Sequence, residues 1–375
     1  MSLFFFYLTL PALTLLARRL PLTAGQCLLL PAAALLTPIH LFFSRSFGIE
    51  SIALCSAVWF LFCYDRLGLR TSAASFAFAT ILAVLAALTK ITTYLVFLVP
   101  ALILTLARLQ SIPPAKWRNN LKSFGAQAAA ALLGLGVGYL WVKYGDHVKS
   151  SNPLSNFLIS DNMHDWNYGP IEMRFTRAFW ESVLHNTQRD ILSMGNLLVA
   201  VIITMAGPTA HRKAAALLIL CFLAGPLAFS NLYLVHNYYY FANTVFALAV
   251  LVLAWSCLLN SAAGRRRWVT AAVVFSLALQ AAGFHRELFL EQREKDYRIP
   301  IESTWIDAAT DPTDVIVVFG EDWSPIIPYY AKRRVVMISN QDSGNVEAID
   351  HVISQIPPEQ LGGFLVTSPE VVGSG

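Results

Sequence analysis

Long apolar runs are the feature that most limits what this chain can fold into. About 20 consecutive apolar residues let a helix cross the ~30 Å hydrocarbon core of a bilayer, and shorter runs only just span it. Only 13% of the 375 residues are charged, against about 25% in soluble domains. The sequence therefore predicts an all-α polytopic membrane domain with about ten transmembrane helices. The runs lie at residues 2–17, 26–43, 49–64, 72–88, 91–107, 124–142, 191–207, 214–229, 239–259 and 268–283.

The basic residues indicate which side of the membrane each loop faces. Clusters of lysine and arginine follow the odd-numbered runs, at 18–19, 66–70, 108–122, 212–213 and 265–267. Cytoplasmic loops carry such clusters, so residue 1, the loop 143–190 and the tail after residue 283 are predicted to lie outside. This pattern predicts a multi-pass membrane protein. It also explains the net charge of +4 without a nucleic-acid partner.

The tail changes from apolar runs to the pattern of a small α/β domain. An apolar β-branched run at 315–319 and two further predicted strands at 335–338 and 363–366 alternate with helical stretches at 325–331 and 346–355. Strand–helix alternation of this kind favours a parallel sheet. We therefore expect a transmembrane domain at 1–283, including the outer loop 143–190, and an extracytoplasmic α/β domain at 284–375.

Several charged residues stand at the outer ends of predicted spans, where a charge is costly unless it is solvated or paired. Arg45 and Glu50 flank the turn between the second and third runs. These two runs could also form one broken or re-entrant pair. Lys90 lies in the very short turn after the fourth run, where a lysine suits a phosphate as a point charge. Each residue also has an ordinary interpretation, as a snorkelling side chain or as a glutamate favoured at a helix N-terminus.

An aromatic cluster with one histidine precedes the ninth run. His236 is followed closely by Tyr238 and Tyr239. Tyrosines at this height form ordinary aromatic belts, whereas a histidine beside them also suits a polar site that faces the outer leaflet. The sequence alone leaves both interpretations open.

Two further segments carry weaker signals. Asp161, His164 and Asp165 in the outer loop are weak candidates for a divalent ion, because their spacing matches no metal motif. Residues 319–325 follow a strand and precede a helix, where α/β proteins bind ligands. They contain neither a GxGxxG fingerprint nor a P-loop, and a Ser-Pro helix start accounts for them.

Four short segments are informative when they are taken together. They are Thr37-Pro38-Ile39-His40 through Ser44-Arg45 to Glu50, Leu85-Ala86-Ala87-Leu88-Thr89-Lys90, His236-Asn237-Tyr238-Tyr239, and Gly320-Glu321-Asp322-Trp323-Ser324-Pro325 ahead of Tyr329-Tyr330-Ala331. These segments resemble the GT-C class of membrane glycosyltransferases, which includes the protein O-mannosyltransferases and the bacterial aminoarabinose transferase. The tail is similar to bacterial members described as family-39-like.

The resemblance implies transfer of a sugar from a polyprenyl-phosphate carrier, held in the membrane lipid, to a glycan, lipid or protein acceptor. It places the protein in the inner (plasma) membrane with its catalytic face toward the periplasm. It implies Glu50 as a catalytic carboxylate. It leaves a divalent cation open as a cofactor. In this family the first span and the principal catalytic aspartate would precede Met1, and Glu50 would match the second acidic position. The resemblance therefore implies either a truncated or split product that is inactive alone, or a true start that lies further upstream. The residues that it implies for lipid-phosphate binding are Arg45, Lys90, His236, Tyr238 and Tyr239.

Three other classes compete with a transferase. A membrane transporter would show inverted repeats and carboxylates within its spans, but no repeat is evident and the polar candidates gather at one face. A polysaccharide polymerase or ligase would also use a long outer loop, without an α/β tail. An accessory membrane protein of cell-envelope polysaccharide assembly is the remaining alternative.

Overall fold

The chain folds into two compact units, each packed mainly against itself. The computed structural model describes residues 1–46, 48–113, 116–261, 266–289, 293, 300–321, 324–340 and 342–367. The first unit comprises Met1–Val142 and His164–Glu294, and the second comprises Lys143–Met163 and Lys295–Gly375. Residues 143–163 therefore group with the tail, whereas the sequence prediction placed the whole loop 143–190 with the transmembrane domain.

The first unit is helical throughout its described part. Short 3₁₀ turns at Gln26–Leu28 and Asn237–Tyr239 precede two of its helices, and π turns at Thr187–Ile191 and His285–Phe289 follow two others. The helices are α1 (Ser2–Ala17), α2 (Leu29–Leu36), α3 (Pro38–Phe43), α4 (Glu50–Leu69), α5 (Ala73–Thr89), α6 (Ile91–Ser111), α7 (Trp117–Ser150, ending in the second unit), α8 (His164–Tyr168), α9 (Arg177–Asn186), α10 (Met194–Ala206), α11 (Thr209–Ala228), α12 (Ser230–Val235), α13 (Tyr240–Ser261) and α14 (Arg266–Phe284).

Within the described residues, six helices are long and apolar enough to cross a membrane. A seventh span exists if the bent pair Arg177–Ile191 and Gly195–Ala206 counts as one. The chain is therefore a multi-pass membrane protein. The six stretches are Glu50–Leu69, Ile91–Ser111, Asn120–Ser150, Thr209–Ala228, Asn237–Ser261 and Arg267–Phe289.

The difference between these six or seven helices and the predicted ten has a geometric cause. At about 1.5 Å per residue, the 16 residues of α1 and the 17 of α5 reach roughly 24–26 Å, short of a ~30 Å core. The run 26–43 is divided because Thr37 takes an extended ψ of 131°, as the residue before a proline tends to do. Pro38 then starts a separate helix, α3.

Helix α13 forms the centre of the first unit. Every residue from Tyr240 to Ser256 is buried, as expected of a helix that is apolar all round. Helices α2, α4, α10, α11 and α14 pack around it. Because α13 is fixed on all sides, the turn at its N-terminal end is held in a defined position.

The second unit contains a three-stranded parallel sheet, which confirms the predicted α/β architecture. Its strands are β1 (Val315–Phe319), β2 (Arg334–Ile338) and β3 (Leu361–Val366), in the order β2-β1-β3. Both pairings are parallel. The accompanying helices are α15 (Ile301–Ala309), α16 (Ile326–Ala331) and α17 (Val346–Ile353).

The sheet buries apolar side chains on both faces. Val317 and Ile338 cluster with Ile349 on one face, and Ile316 clusters with Ile327 on the other. Leu154, from the 3₁₀ turn Pro153–Leu158, joins the first of these clusters. This contact explains why residues 143–163 belong with the tail.

Candidate functional site

The joint between α5 and α6 places a lysine at the end of the helical bundle. Lys90 has an extended backbone (φ −158°, ψ 94°), so it ends α5 and begins α6 in a single residue. Its backbone N–H donates to the Ala86 carbonyl oxygen, and its carbonyl oxygen accepts from the Tyr94 N–H. The backbone is thus satisfied by both helices, while the side chain is free to turn toward neighbouring elements.

The Lys90 side chain forms an ion pair with Glu50, in the first turn of α4. The Nζ and Oε1 atoms lie 3.2 Å apart, and the two side chains are only 10% and 13% exposed. Burial lowers the pKa of Lys90, and the neighbouring Glu50 carboxylate opposes that shift. Two charges so far removed from water are stable only as a pair.

Two tyrosine rings complete the surroundings of the ammonium group. Lys90 Nζ lies 4.8 Å from the ring centroid of Tyr238 and 4.1 Å from that of Tyr239. These distances are within the ~6 Å range of cation–π attraction. The two tyrosine rings stack at 4.8 Å, and His236 stacks on Tyr238 at 5.0 Å. Burial and the charge of Lys90 lower the pKa of His236.

The turn before α4 must contain glycine for this arrangement. A Cβ atom on Gly48 would collide with Oε2 of Glu50. The Glu50 carboxylate therefore occupies space that only a glycine leaves empty. Gly48 was not among the sequence candidates, although it lies within the stretch that carries the resemblance.

A second ion pair fixes the turn that carries the tyrosines. Arg189 donates to both carboxylate oxygens of Asp190, at 2.7 and 2.8 Å. Asn237 Nδ2 donates to Asp190 Oδ2 at 3.2 Å. Asp190 is fully buried, so this bidentate pair anchors the Asn237–Tyr239 turn to the end of the π turn after α9.

The sequence analysis missed Asp190. Its signal is present, because Asp190 stands immediately before an apolar run, and Glu50 likewise opens α4. Its contact with Asn237 joins residues 47 positions apart, and such a pairing is invisible in a single sequence.

The outer loop contributes one wall beside the tyrosines. Trp166 lies edge-on to His236, with ring centroids 6.1 Å apart. Asn231 Nδ2 donates to the Trp166 carbonyl oxygen at 2.8 Å, and Tyr168 stacks on Phe229 at 5.5 Å. The α8 segment is therefore held against the end of α11 and α12.

The other predicted residues near the N-terminal motif lie elsewhere. The Arg45 guanidinium is 5.9 Å from the ring centroid of Phe284, at the end of α14. His40 is buried, with its ring nitrogens 3.1 Å from the Ala34 carbonyl oxygen and 2.9 Å from that of Phe241. The structure thus gathers Glu50, Lys90 and the 236–239 turn, while Arg45 faces α14.

The weak metal candidates do not converge. Asp161 lies 3.9 Å from Lys143, and His164 Nδ1 lies 3.1 Å from Asp165 Oδ1. Among the residues that the structure describes, no three histidine, cysteine, aspartate or glutamate side chains come close enough to hold a metal ion. In the tail segment 319–325, Asp322 and Trp323 lie outside the described residues.

The opposite end of α4 has a different character. Asp65 pairs with Arg19 at 2.6 Å, and a Cβ on Gly68 would collide with the Arg108 guanidinium. The rise from Glu50 to Asp65 is roughly 22 Å at 1.5 Å per residue. Basic residues therefore gather at one end of the bundle, and the Lys90–Glu50 pair with its tyrosines lies at the other.

These observations define a class: a multi-pass α-helical membrane protein with a buried charged and aromatic cluster at one end, and a small parallel α/β unit. No protein-family model matches the chain, and no curated protein matches it. The assignment to this structural class therefore rests on the helices and the side-chain contacts.

Proposed function

We propose that this protein is a membrane glycosyltransferase that moves a sugar from a polyprenyl-phosphate carrier to an acceptor on the extracytoplasmic face. The main support is the surroundings of Lys90. Its ammonium group is nearly buried between one carboxylate and two tyrosine rings at the end of an apolar bundle. A lipid phosphate reaches this depth from the headgroup region while its isoprenoid tail stays in the bilayer.

The helix ends around Lys90 suit an anion. Helices α4, α6 and α13 begin at Glu50, Ile91 and Tyr240, and the contacts of Lys90 join these three beginnings. Each helix start presents unpaired N–H groups and a partial positive charge. Together with the ammonium they offer a phosphate the kind of site that helix N-termini form elsewhere.

The proposed reaction uses Glu50 as the base. The Glu50 carboxylate accepts the proton of the acceptor hydroxyl, whose oxygen attacks the anomeric carbon of the donor sugar. The bond from that carbon to the phosphate oxygen breaks, and its electron pair leaves with the polyprenyl phosphate. Lys90 stabilises the charge of the leaving phosphate. The configuration at the anomeric carbon is inverted.

Other side chains have positioning roles in this proposal. Tyr238, Tyr239 and His236 line the phosphate position, and Asp190 holds their turn through Asn237. Arg45, over Phe284, would contact the carrier lipid at a separate point.

The topology that we propose has ten spans. The shorter helices α1 and α5, the divided run 26–43 and the bent pair around residue 193 would complete the six longer helices. Under the positive-inside rule the Arg19–Asp65–Arg108 end faces the cytoplasm. The Lys90 cluster and the α/β unit would then lie on the outer side of the plasma membrane.

Transfer by the purified full-length protein tests the proposal. Proteoliposomes would receive polyprenyl-phosphate carriers loaded with a panel of radiolabelled sugars, with Mg²⁺ or with EDTA, and release of the label would be measured. We expect Glu50→Gln and Lys90→Gln each to slow release at least about a hundredfold, because each removes a group that acts on the transition state.

The controls remove the same charges where they are exposed. Glu181→Gln and Lys213→Gln lie on solvent-accessible positions of α9 and α11, and we expect both to retain the wild-type rate. The proposal would be refuted if the protein neither released the label nor bound sugar-free polyprenyl phosphate. Binding without release would favour a transporter instead.

A further inference from the structure

The α/β unit contains a cavity that the proposed reaction does not use. It measures about 240 Å³ and lies between the upstream turn Pro153–Leu158 and the edge strand β2. Ser339 and Asp342, which follow β2, also line it. In parallel sheets this carboxyl end of the strands is where ligands bind.

Polar groups enter the cavity from three sources. Ser339 donates to Asp342 Oδ2 at 2.8 Å, which fixes a carboxylate that has lone pairs for further donors. Asn152 and Ser155 line the cavity from the upstream segment. Asn152 Oδ1 accepts from the Leu154 N–H at 3.0 Å, and the Ser155 hydroxyl donates to the Lys149 carbonyl oxygen at 2.8 Å. Strand β2 is at the edge of the described sheet, and an edge strand leaves alternate backbone N–H and C=O groups unpaired.

Apolar side chains form the rest of the lining. Phe157 lies on the wall formed by the upstream turn, and Met337 lies on the strand. A ligand that fits must therefore present hydroxyl or amide groups on its edges and C–H groups on a face.

Charge and size narrow the ligand further. Of the described residues that line the cavity, Asp342 alone is charged, so an anion is disfavoured and a metal ion lacks the several carboxylates that it prefers. Lys149, on the same segment as the upstream turn, donates to the Leu158 carbonyl oxygen at 2.8 Å. The volume lies below the ~300–1,000 Å³ of pockets for drug-sized ligands, which suits a single ring.

We propose that this cavity binds one neutral saccharide ring, whose hydroxyls bond to Asp342, Asn152 and the edge of β2 while its C–H face contacts Phe157. This site lies beyond the proposed transfer reaction and does not rest on it. A sugar unit of a glycan and a free monosaccharide both present such hydroxyl groups and such a C–H face.

Binding of methyl glycosides to the full-length protein in nanodiscs tests the inference. The panel would contain the methyl glycosides of glucose, galactose, mannose and N-acetylglucosamine at millimolar concentration, observed by saturation-transfer NMR. We expect at least one to bind, and Asp342→Asn to weaken it about tenfold, the loss that accompanies one charge-assisted hydrogen bond. The matched control Asp350→Asn, on the exposed side of α17, should bind as the wild type does.

Further variants separate the site from folding and from the transfer reaction. Ser155→Phe would fill the cavity from the other wall and should abolish binding while the thermal unfolding midpoint stays close to that of the wild type. Lys90→Gln should leave glycoside binding unchanged, so failure of the transferase and failure of this site are distinguishable. No binding by any glycoside, or equal binding by wild type and Asp342→Asn, would overturn the inference. If the natural ligand is a sugar of a glycan, a disaccharide of the bound sugar should bind at least as tightly as the methyl glycoside. If the natural ligand is a free monosaccharide, the disaccharide should bind more weakly.

Discussion

Lys90 connects the local break in the helices to the chemistry that we propose. Its extended backbone ends α5 and starts α6, and its side chain meets α4 and the turn before α13. One residue therefore joins three parts of the bundle. Its contribution to folding and its contribution to the reaction can be separated by substitution.

Loss of the ammonium alone should destabilise the fold more than loss of the whole pair. Lys90→Met leaves the Glu50 carboxylate largely buried without its partner, at a cost of about 3–5 kcal/mol. Lys90→Met combined with Glu50→Gln should recover most of that stability, since no charge then remains uncompensated. Thermal unfolding in detergent, followed by tryptophan fluorescence, would measure both. The exposed pair Arg177–Glu181 is the control, where loss of one partner should cost about 1 kcal/mol or less.

The affinity for polyprenyl phosphate should fall at a lower alkaline pH than a lysine with an ordinary pKa would give. Burial lowers the pKa of Lys90 below its ordinary value of 10.5. The ammonium binds the phosphate only while protonated, so binding is retained at neutral pH and lost as pH rises through the lowered pKa. Lys90→Arg keeps its charge above about pH 12 and should move the loss to higher pH. An unchanged profile in Lys90→Arg would assign the titration to another group.

At the residue scale, the sequence identified the members of the cluster better than their partners. Glu50, Lys90, His236, Tyr238 and Tyr239 stand out because each is polar or aromatic at the end of an apolar run, and the structure brings them together. Arg45 has the same local signal but points to Phe284. Which partner a side chain meets depends on helix packing, which no single sequence displays.

At the element scale, the turn between α3 and α4 sets the position of the carboxylate. Gly48→Ala should push the Glu50 side chain aside, because the added Cβ collides with Oε2. A flexible side chain moves at little cost to folding, so we expect an unfolding midpoint near that of the wild type and at least a tenfold slower sugar release, since small misplacements of catalytic groups are costly. Gly25→Ala is the matched control, because a Cβ there has no neighbour within 4 Å. Equal rates in both variants would contradict the role given to this turn.

Elements governed by local patterns were predictable. The prediction of β1 at 315–319 is confirmed at both ends, because a β-branched run between polar turns specifies a strand locally. The number of spans was less predictable. Helices α1 and α5 differ from the longer helices only in length, and Pro38 divides the run 26–43, which is continuous by hydropathy. Residues 143–163 group with the tail for a reason that the sequence does not display, since Leu154 packs against strands much later in the chain.

At the scale of the whole molecule, reporter fusions test the orientation. A fluorescent protein that matures only in the cytoplasm should be bright when fused after residue 111, near the basic segment 108–122. Alkaline phosphatase, active only outside, should be active when fused after residue 90. The fluorescent protein fused after residue 70, at the same basic end of the bundle, is the control and should also be bright. Phosphatase activity at residue 111 would reverse the proposed topology and place the Lys90 cluster in the cytoplasm.

The upstream segment in the α/β unit has a consequence for synthesis. Leu154 leaves the ribosome long before the strands that enclose it, and chains fold progressively as they emerge. The sheet cannot complete its core until the last strand has been made, so Leu154 lacks its packing partners while the helices between are inserted. A chaperone or the translocation machinery would have its best opportunity to engage the nascent protein during that interval.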